Sequence, residues 1–322
     1  MSRDRIAALV ILLLAGAAAP LALVLDQPFA VNLLSKALIL ALAASALNLV
    51  LGYGHLVSFG HAAFFGVGGY AVGILSFHHF DESRVLGLAG TDQALIAWPV
   101  AAALAGLVAL LTGAVAMRTR GAYFIMITLA FAQMAFFVFV SLTAYGGDDG
   151  LSLWWGRSQV AGLVINDRLT FFAVVWVALG LWTFLLIAIT RSSFGRALVG
   201  TAQNETRMAA LGFEPYRIRL MAYVISGAVT GLAGALFVEL NGFVSPDLVH
   251  WSRSGQFMII VILGGIGTAC GPILGALTFV LLEEVFVSLT EHWGFFLGAI
   301  LLTLVLVAKG GLAGLLLRRA KP

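Results

Sequence analysis

LTFFAVVWVALGLWTFLLIAIT, Leu169–Thr190, runs 22 residues without a charged side chain. A helix rises about 1.5 Å per residue, and about 20 apolar residues cross the roughly 30 Å hydrocarbon layer of a bilayer. The next thirty residues, RSSFGRALVGTAQNETRMAALGFEPYRIRL (Arg191–Leu220), hold five arginines and two glutamates, in a chain of which only 10% is charged. A membrane crossing that delivers its charge to one side is therefore the unit from which the rest is read.

Comparable runs occur at 6–25, 31–51, 55–77, 95–117, 122–145, 220–240, 257–268, 272–290 and 293–308. The run 257–268 is too short to cross alone, so 257–290 is either one broken element or two half-spans. The 322 residues are 61% hydrophobic with a mean hydropathy of +1.04, where a soluble domain has about 45–50% apolar and about 25% charged residues. The runs do not alternate, as the strands of a transmembrane barrel would. The fold class expected is an all-α polytopic integral membrane protein of about 8–10 transmembrane helices, broken or re-entrant elements included. One membrane domain covers 1–322, with the lipid bilayer as its surroundings. Residues Met1–Leu25 share features with a signal peptide, but the apolar part is long for an h-region of about 7–15 residues and reads as a retained first span. The single cysteine, Cys270, excludes an intrachain disulfide.

The positive charges set the orientation. With the amino terminus inside, 13 of the 18 lysines and arginines fall in inner segments, four in outer ones, and Lys36 within a span. Both termini are then cytoplasmic, and the basic residues act as topology signals, not as a nucleic-acid surface. Trp98, Trp154, Trp155, Trp251 and Trp293 fall at the outer surface, where amphipathic rings favour the headgroup layer.

The segment 191–219 is accordingly a cytoplasmic loop. Within it Asn204 can cap a helix, Gly212 can close it in the left-handed conformation, and Glu205 sits at the positive end of its dipole. The residues between, Glu205–Leu211, make about two turns. A solvated loop could carry the same charges, but two caps around Met208, Ala209, Ala210 and Leu211 describe a docking element for a cytoplasmic protein that pushes on the membrane domain. Asn204, Glu205, Arg207, Met208, Leu211 and Gly212 are its candidate contacts.

Two glycine-rich interruptions, Leu51–Tyr70 and Leu263–Ala276, fall in opposite halves of the chain. They read either as broken helices exposing backbone to a solute or as close helix packing. For Gly227-x-x-x-Gly231 and Gly271-x-x-x-Gly275 packing is the expectation. Candidates for the translocation pathway are Asn48, His55, Ser58, His61, Gln133, Gly264 and Gly265. Lys36, near the outer end of its run, is expected to snorkel. Glu283 and Glu284 point about 100° apart on a helix, so at least one must contact a neighbouring helix or subunit. A proton relay through them is the competing use. No phosphate-binding loop, nucleophile elbow or metal-ligand spacing is present, so the expectation is no enzyme activity, no metal and no cofactor bound by this chain.

From about Leu38 to Leu316 the chain resembles the LivM-type permease subunit of branched-chain amino-acid ABC importers. The resemblance is carried by LNLVLGYGHLVSFGHAAFFGVGGYAVGIL, RTRGAYFIMITLAF, YGGDDGL, SSFGRALVGTAQNETRMAALGFEPYRIRLMAYVISGAVTGLAGAL and VILGGIGTACGPILGA, in that order. It implies an ABC importer permease architecture in a bacterial or archaeal plasma membrane, with a coupling helix at 204–212. It implies as partners a second, LivH-like permease, two ABC ATPase subunits that use ATP and Mg, and an extracytoplasmic substrate-binding protein. The outer loop 145–168, with Asp148, Asp149, Trp154 and Trp155, is then a docking candidate for that binding protein, or an ordinary polar loop with interfacial anchors. The implied substrates are branched-chain amino acids or related small amino acids and amides. The alternative from another class is an ion-gradient-driven secondary transporter using Glu283 or Glu284.

Overall fold

In hydrocarbon every backbone N–H and C=O must find a partner within the chain, and a helix provides those partners locally. The computed structural model describes residues 3–318 apart from 86–87, 154–155, 161–162, 165–166, 290–291 and 308–309. In chain order its helices are α1 (Arg3–Val24), α2 (Pro28–Asn48), α3 (His61–Phe80), α4 (Ala94–Ala116), α5 (Ala122–Ser141), α6 (Arg168–Arg191), α7 (Ser193–Gln203), α8 (Glu205–Ala210), α9 (Pro215–Asn241), α10 (Trp251–Gly264), α11 (Gly271–Leu289), α12 (Trp293–Val307) and α13 (Gly311–Arg318). Seven of the described helices are long and apolar enough to cross a membrane. The chain is an all-α polytopic membrane protein.

At the centre α9 packs along α2, α3 and α4. Small residues make this possible: a Cβ on Gly227 or Gly231 would come within 2.4 or 2.2 Å of the Cβ of Ala109 or Ala105 on α4. On the facing side Gly68 of α3 rests on the carbonyl of Gly231. The motif Gly227-x-x-x-Gly231 thus serves close helix packing, as expected.

Helical structure breaks in three places. The first is 54–60, so the helix expected from 55 starts at His61. The second is 242–250. Gly242, left-handed at φ +65°, closes α9, and Phe243–Val244 pairs antiparallel with Leu151–Ser152 of the outer loop. The chain then descends along α3 until Val249 meets Gly66. Gly66 lies 14 residues before the outer end of α3, or about 20 Å below it. Trp251, expected at the outer surface, consequently lies deep, its ring 6.1 Å from that of Phe59. The third break, 265–270, divides 257–290 into two separate helices. Gly275 of α11 approaches the Ile260 carbonyl of α10, and Gly264 approaches the Gly271 carbonyl, which makes Gly271-x-x-x-Gly275 a packing motif too. Asp4 of α1 accepts from the amides of Ala269 and Cys270 at 3.1 and 3.2 Å and so caps this inner turn.

Candidate functional site

The inner segment 191–219 is more structured than its sequence suggests. Ser192 accepts from the Gly195 amide and starts α7, an 11-residue amphipathic helix with Ala197, Leu198 and Thr201 buried. This helix was not anticipated, although the Ser192 cap was legible. Asn204 ends α7 and caps α8, its side chain accepting from Arg207 N at 2.9 Å. The helix stops one residue earlier than expected, at Ala210. Gly212 follows at φ +86°, and the amide of Phe213 donates to the Met208 carbonyl. Met208 is buried against Gly200 of α7, while Arg207 is exposed and Leu211 and Phe213 are 67% and 45% exposed. Glu205 points inward. Its carboxylate pairs with Arg219 of α9 at 2.7 Å and with Arg120 of the α4–α5 loop at 3.0 Å. One face of α8 is locked to the membrane body and the other presents apolar and basic groups at the surface.

The interruption 54–60 is satisfied by hydroxyls from three helices. Phe59 N donates to Thr128 Oγ1 of α5, and Ser254 Oγ of α10 donates to Phe59 O and accepts from Ala62 N. Ser226 Oγ of α9 donates its one proton to Ala46 O of α2 at 2.6 Å. The 2.8 Å contact between Ser226 Oγ and His61 Nε2 therefore has the imidazole as donor. Nδ1 is left as the acceptor for Ser58 Oγ at 3.3 Å, and Ser58 in turn receives the Tyr223 hydroxyl at 3.2 Å. His61 thus stands at the junction of four segments, with its Nε2–H committed to Ser226.

The two interruptions touch one another. Asn48 donates to Thr268 O at 2.8 Å and accepts from Gly267 N at 2.9 Å. A π-helical turn, Leu49–Tyr53, continues α2, and a Cβ on Gly52 would come within 2.6 Å of Gly267 N. Of the pathway candidates, Asn48, Ser58, His61, Gly264 and Gly265 are buried inside this chain. They satisfy or closely approach backbone and present no surface to a solute. His55, exposed and left-handed at φ +52°, and half-buried Gln133 on α5 lie at the surface of that frame.

Lys36 does not snorkel: its Nζ lies 2.9 Å from Glu283 Oε2, across the α2–α11 contact. The partner is 247 residues away, beyond the reach of any local pattern. Glu283 meets the expectation that one of the two adjacent glutamates contacts a neighbouring helix. Another carboxylate was overlooked because it sits one residue from the end of a run. Glu239 of α9 is 4% exposed, accepts from Trp98 Nε1 of α4 at 2.8 Å, and its backbone carbonyl accepts from Arg157 Nε of the outer loop at 3.2 Å. In that loop Asp148 and Asp149 form an exposed turn of 3-10 helix, while Trp154 and Trp155 lie outside the described residues.

Comparison with known proteins agrees with this architecture. The family model described as "Branched-chain amino acid transport system / permease component" matches residues 29–305. The high-affinity branched-chain amino acid transport system permease protein LivM of Escherichia coli K12 is 28% identical over 88% of this chain and 69% of its own length, and that of Salmonella typhimurium LT2 is 27% identical over the same shares. The autoinducer 2 import system permease protein LsrC of Escherichia coli K12 / DH10B is 27% identical over 50% of this chain and 51% of its own. No solved structure matches. With its apolar spans, its charged inner segment and a family match over most of its length, the chain belongs to the permease components of branched-chain amino-acid transport systems, as a multi-pass inner-membrane protein.

Proposed function

We propose that this chain is one of two permease subunits of an ATP-driven importer for branched-chain or related small amino acids. The observation that carries the reading is α8. A capped helix whose inner face is pinned by Glu205 to Arg120 and Arg219, and whose outer face exposes Leu211 and Phe213, has the form of a docking lever. Two cytoplasmic ATPase subunits bind ATP and Mg, and closure of that pair pushes on Asn204, Arg207, Leu211 and Gly212. The push passes through α7 and α9 into the helices around 54–60 and 265–270. A second, LivH-like permease supplies the other half of the pathway, along the surface that carries His55 and Gln133. An extracytoplasmic binding protein delivers solute at the outer loop, with Asp148 and Asp149 among its contacts. The permease itself breaks no substrate bond.

The alternative, ion-gradient coupling through Glu283 or Glu284, gives the pinned inner helix no task, and Glu283 is already paired with Lys36. Purification of the chain from native membranes in mild detergent tests the choice. Recovery of an ATPase pair and a second permease, with uptake in vesicles that requires ATP, is the expected result. A chain that purifies alone and moves solute on a proton or sodium gradient overturns it.

A further inference from the structure

A cavity of about 660 Å³ opens between α10, α11 and α12. Its depth is set by two contacts between α2 and the α10–α11 hairpin. Lys36, eight residues in from the outer end of α2, meets Glu283, while Asn48, twelve residues further on, meets the inner turn at Thr268. Glu283 therefore stands about 18 Å above the inner turn, well inside the hydrocarbon layer.

The polar wall holds Asp247, Arg253, Gln256 and Glu283. Arg253 commits Nη1 to Gln256 Oε1 at 3.0 Å and places its guanidinium 5.5 Å from the Phe237 ring. Its Nη2 and Nε have no hydrogen-bond partner among the described residues. On the carboxylate side, Glu283 gives Oε2 to Lys36; neither its Oε1 nor the carboxylate of Asp247 makes a hydrogen bond among the described residues, and both lie within electrostatic reach of Arg253. Charged groups at this depth with unused capacity need water or a solute to complete them. The rest of the lining includes the apolar Ile259, Phe279, Leu297 and Leu301. The volume falls within the roughly 300–1,000 Å³ usual for a small-molecule site.

One unfilled cationic fork, two carboxylates with room to accept and an aliphatic wall match one class of solute. We propose that this cavity is a binding site for a zwitterionic amino acid, its carboxylate on Arg253, its ammonium between Glu283 and Asp247, and its aliphatic side chain against Ile259, Phe279, Leu297 and Leu301. The proposal rests on the importer reading and adds that the permease itself selects. A guanidinium fork takes a carboxylate through two parallel hydrogen bonds, and a neutral amide in that place leaves one donor of the half-buried fork unpaired, which is how polar sites reject analogues.

The test uses the importer as purified with its partners, placed in nanodiscs and carrying Ser252→Cys. Ser252 is exposed on the cavity wall, whereas the native Cys270 is buried. Alkylation at position 252 is followed against increasing L-leucine, L-leucinamide (no carboxylate) and 4-methylpentanoate (no ammonium). Leucine is expected to protect at a concentration at least about tenfold lower than either analogue. Arg253→Gln should remove its advantage over leucinamide, and Asp247→Asn should reduce its advantage over 4-methylpentanoate. Equal protection by all three, no protection by leucine, or an unchanged Arg253→Gln profile overturns the site. Leucine uptake is measured on the same preparation. ATP-driven uptake without protection sinks the cavity assignment alone, whereas uptake indifferent to ATP sinks the importer reading.

Discussion

Glu205 Oε2 lies 2.7 Å from Arg219 Nη2, and Glu205 Oε1 lies 3.0 Å from Arg120 Nη2. One carboxylate at the start of α8 thus joins the α4–α5 loop to the inner end of α9. Arg219 is 12% exposed and Glu205 23%, so this pair is better shielded than an ordinary surface bridge worth about 0–1 kcal/mol. Glu205→Gln should leave ATP hydrolysis by the assembled importer near its native rate and lower solute moved per ATP several-fold. Equal coupling ratios for the variant and the native protein would remove Glu205 from the lever.

Gly212 offers a second handle on the same segment. A Cβ there would meet nothing within 4 Å, so any cost of substitution comes from the backbone alone, at φ +86°. Gly212→Val forces a β-branched residue into the left-handed region at about 1–2 kcal/mol, whereas Gly212→Asn is tolerated. Transport should fall with Val and persist with Asn. Full transport by Gly212→Val refutes the cap as part of the coupling element.

His61 and Ser226 predict a stability effect with little bearing on solute selection. Ser226→Ala leaves the buried His61 Nε2–H without an acceptor and the Ala46 carbonyl with only the Leu49 amide. The expected loss is about 1–3 kcal/mol, read as a lower unfolding temperature in detergent. His61→Gln with Ser226 intact, which keeps a donor for Ser226 and an acceptor for Ser58, should cost less. An unchanged unfolding temperature for Ser226→Ala would show that the network is not what holds 54–60.

Asn48 bridges the two interruptions through a single side chain. Asn48→Leu deletes both the donor to Thr268 O and the acceptor for Gly267 N, leaving two backbone groups orphaned at a cost of about 1–3 kcal/mol each. Yield of folded protein should drop sharply, and proteolysis should begin at the 265–270 turn. Native yield and native protease resistance in this variant would contradict the bridge.

Much of this was legible from residue order, for definite reasons. Leu169–Thr190 could only be a span, because length and apolarity are local properties. Asn204 and Gly212 announced α8 because caps are read within a few residues. What escaped depends on contacts between distant segments. Lys36 gave no sign of Glu283, and Glu239 looked like the end of a run and proved to be a buried acceptor for Trp98. Buried Ser226, Ser254 and Thr128 carry no periodic signal, yet they hold the irregular backbone that the glycines of 51–70 make possible. Asn48, Ser58 and His61 were polar residues in apolar runs, and polarity alone cannot tell a pathway from a frame.

The carboxylate of Asp4 that closes the 269–270 turn also makes the start of α1 an outboard marker of the α10–α11 hairpin. A spin label placed beside Asp4 would travel with that hairpin, and one at Leu211 would travel with α8. The distance between the two labels through an ATP cycle would separate a single rigid body, in which it stays fixed, from a jointed machine, in which it shortens and lengthens once per turnover.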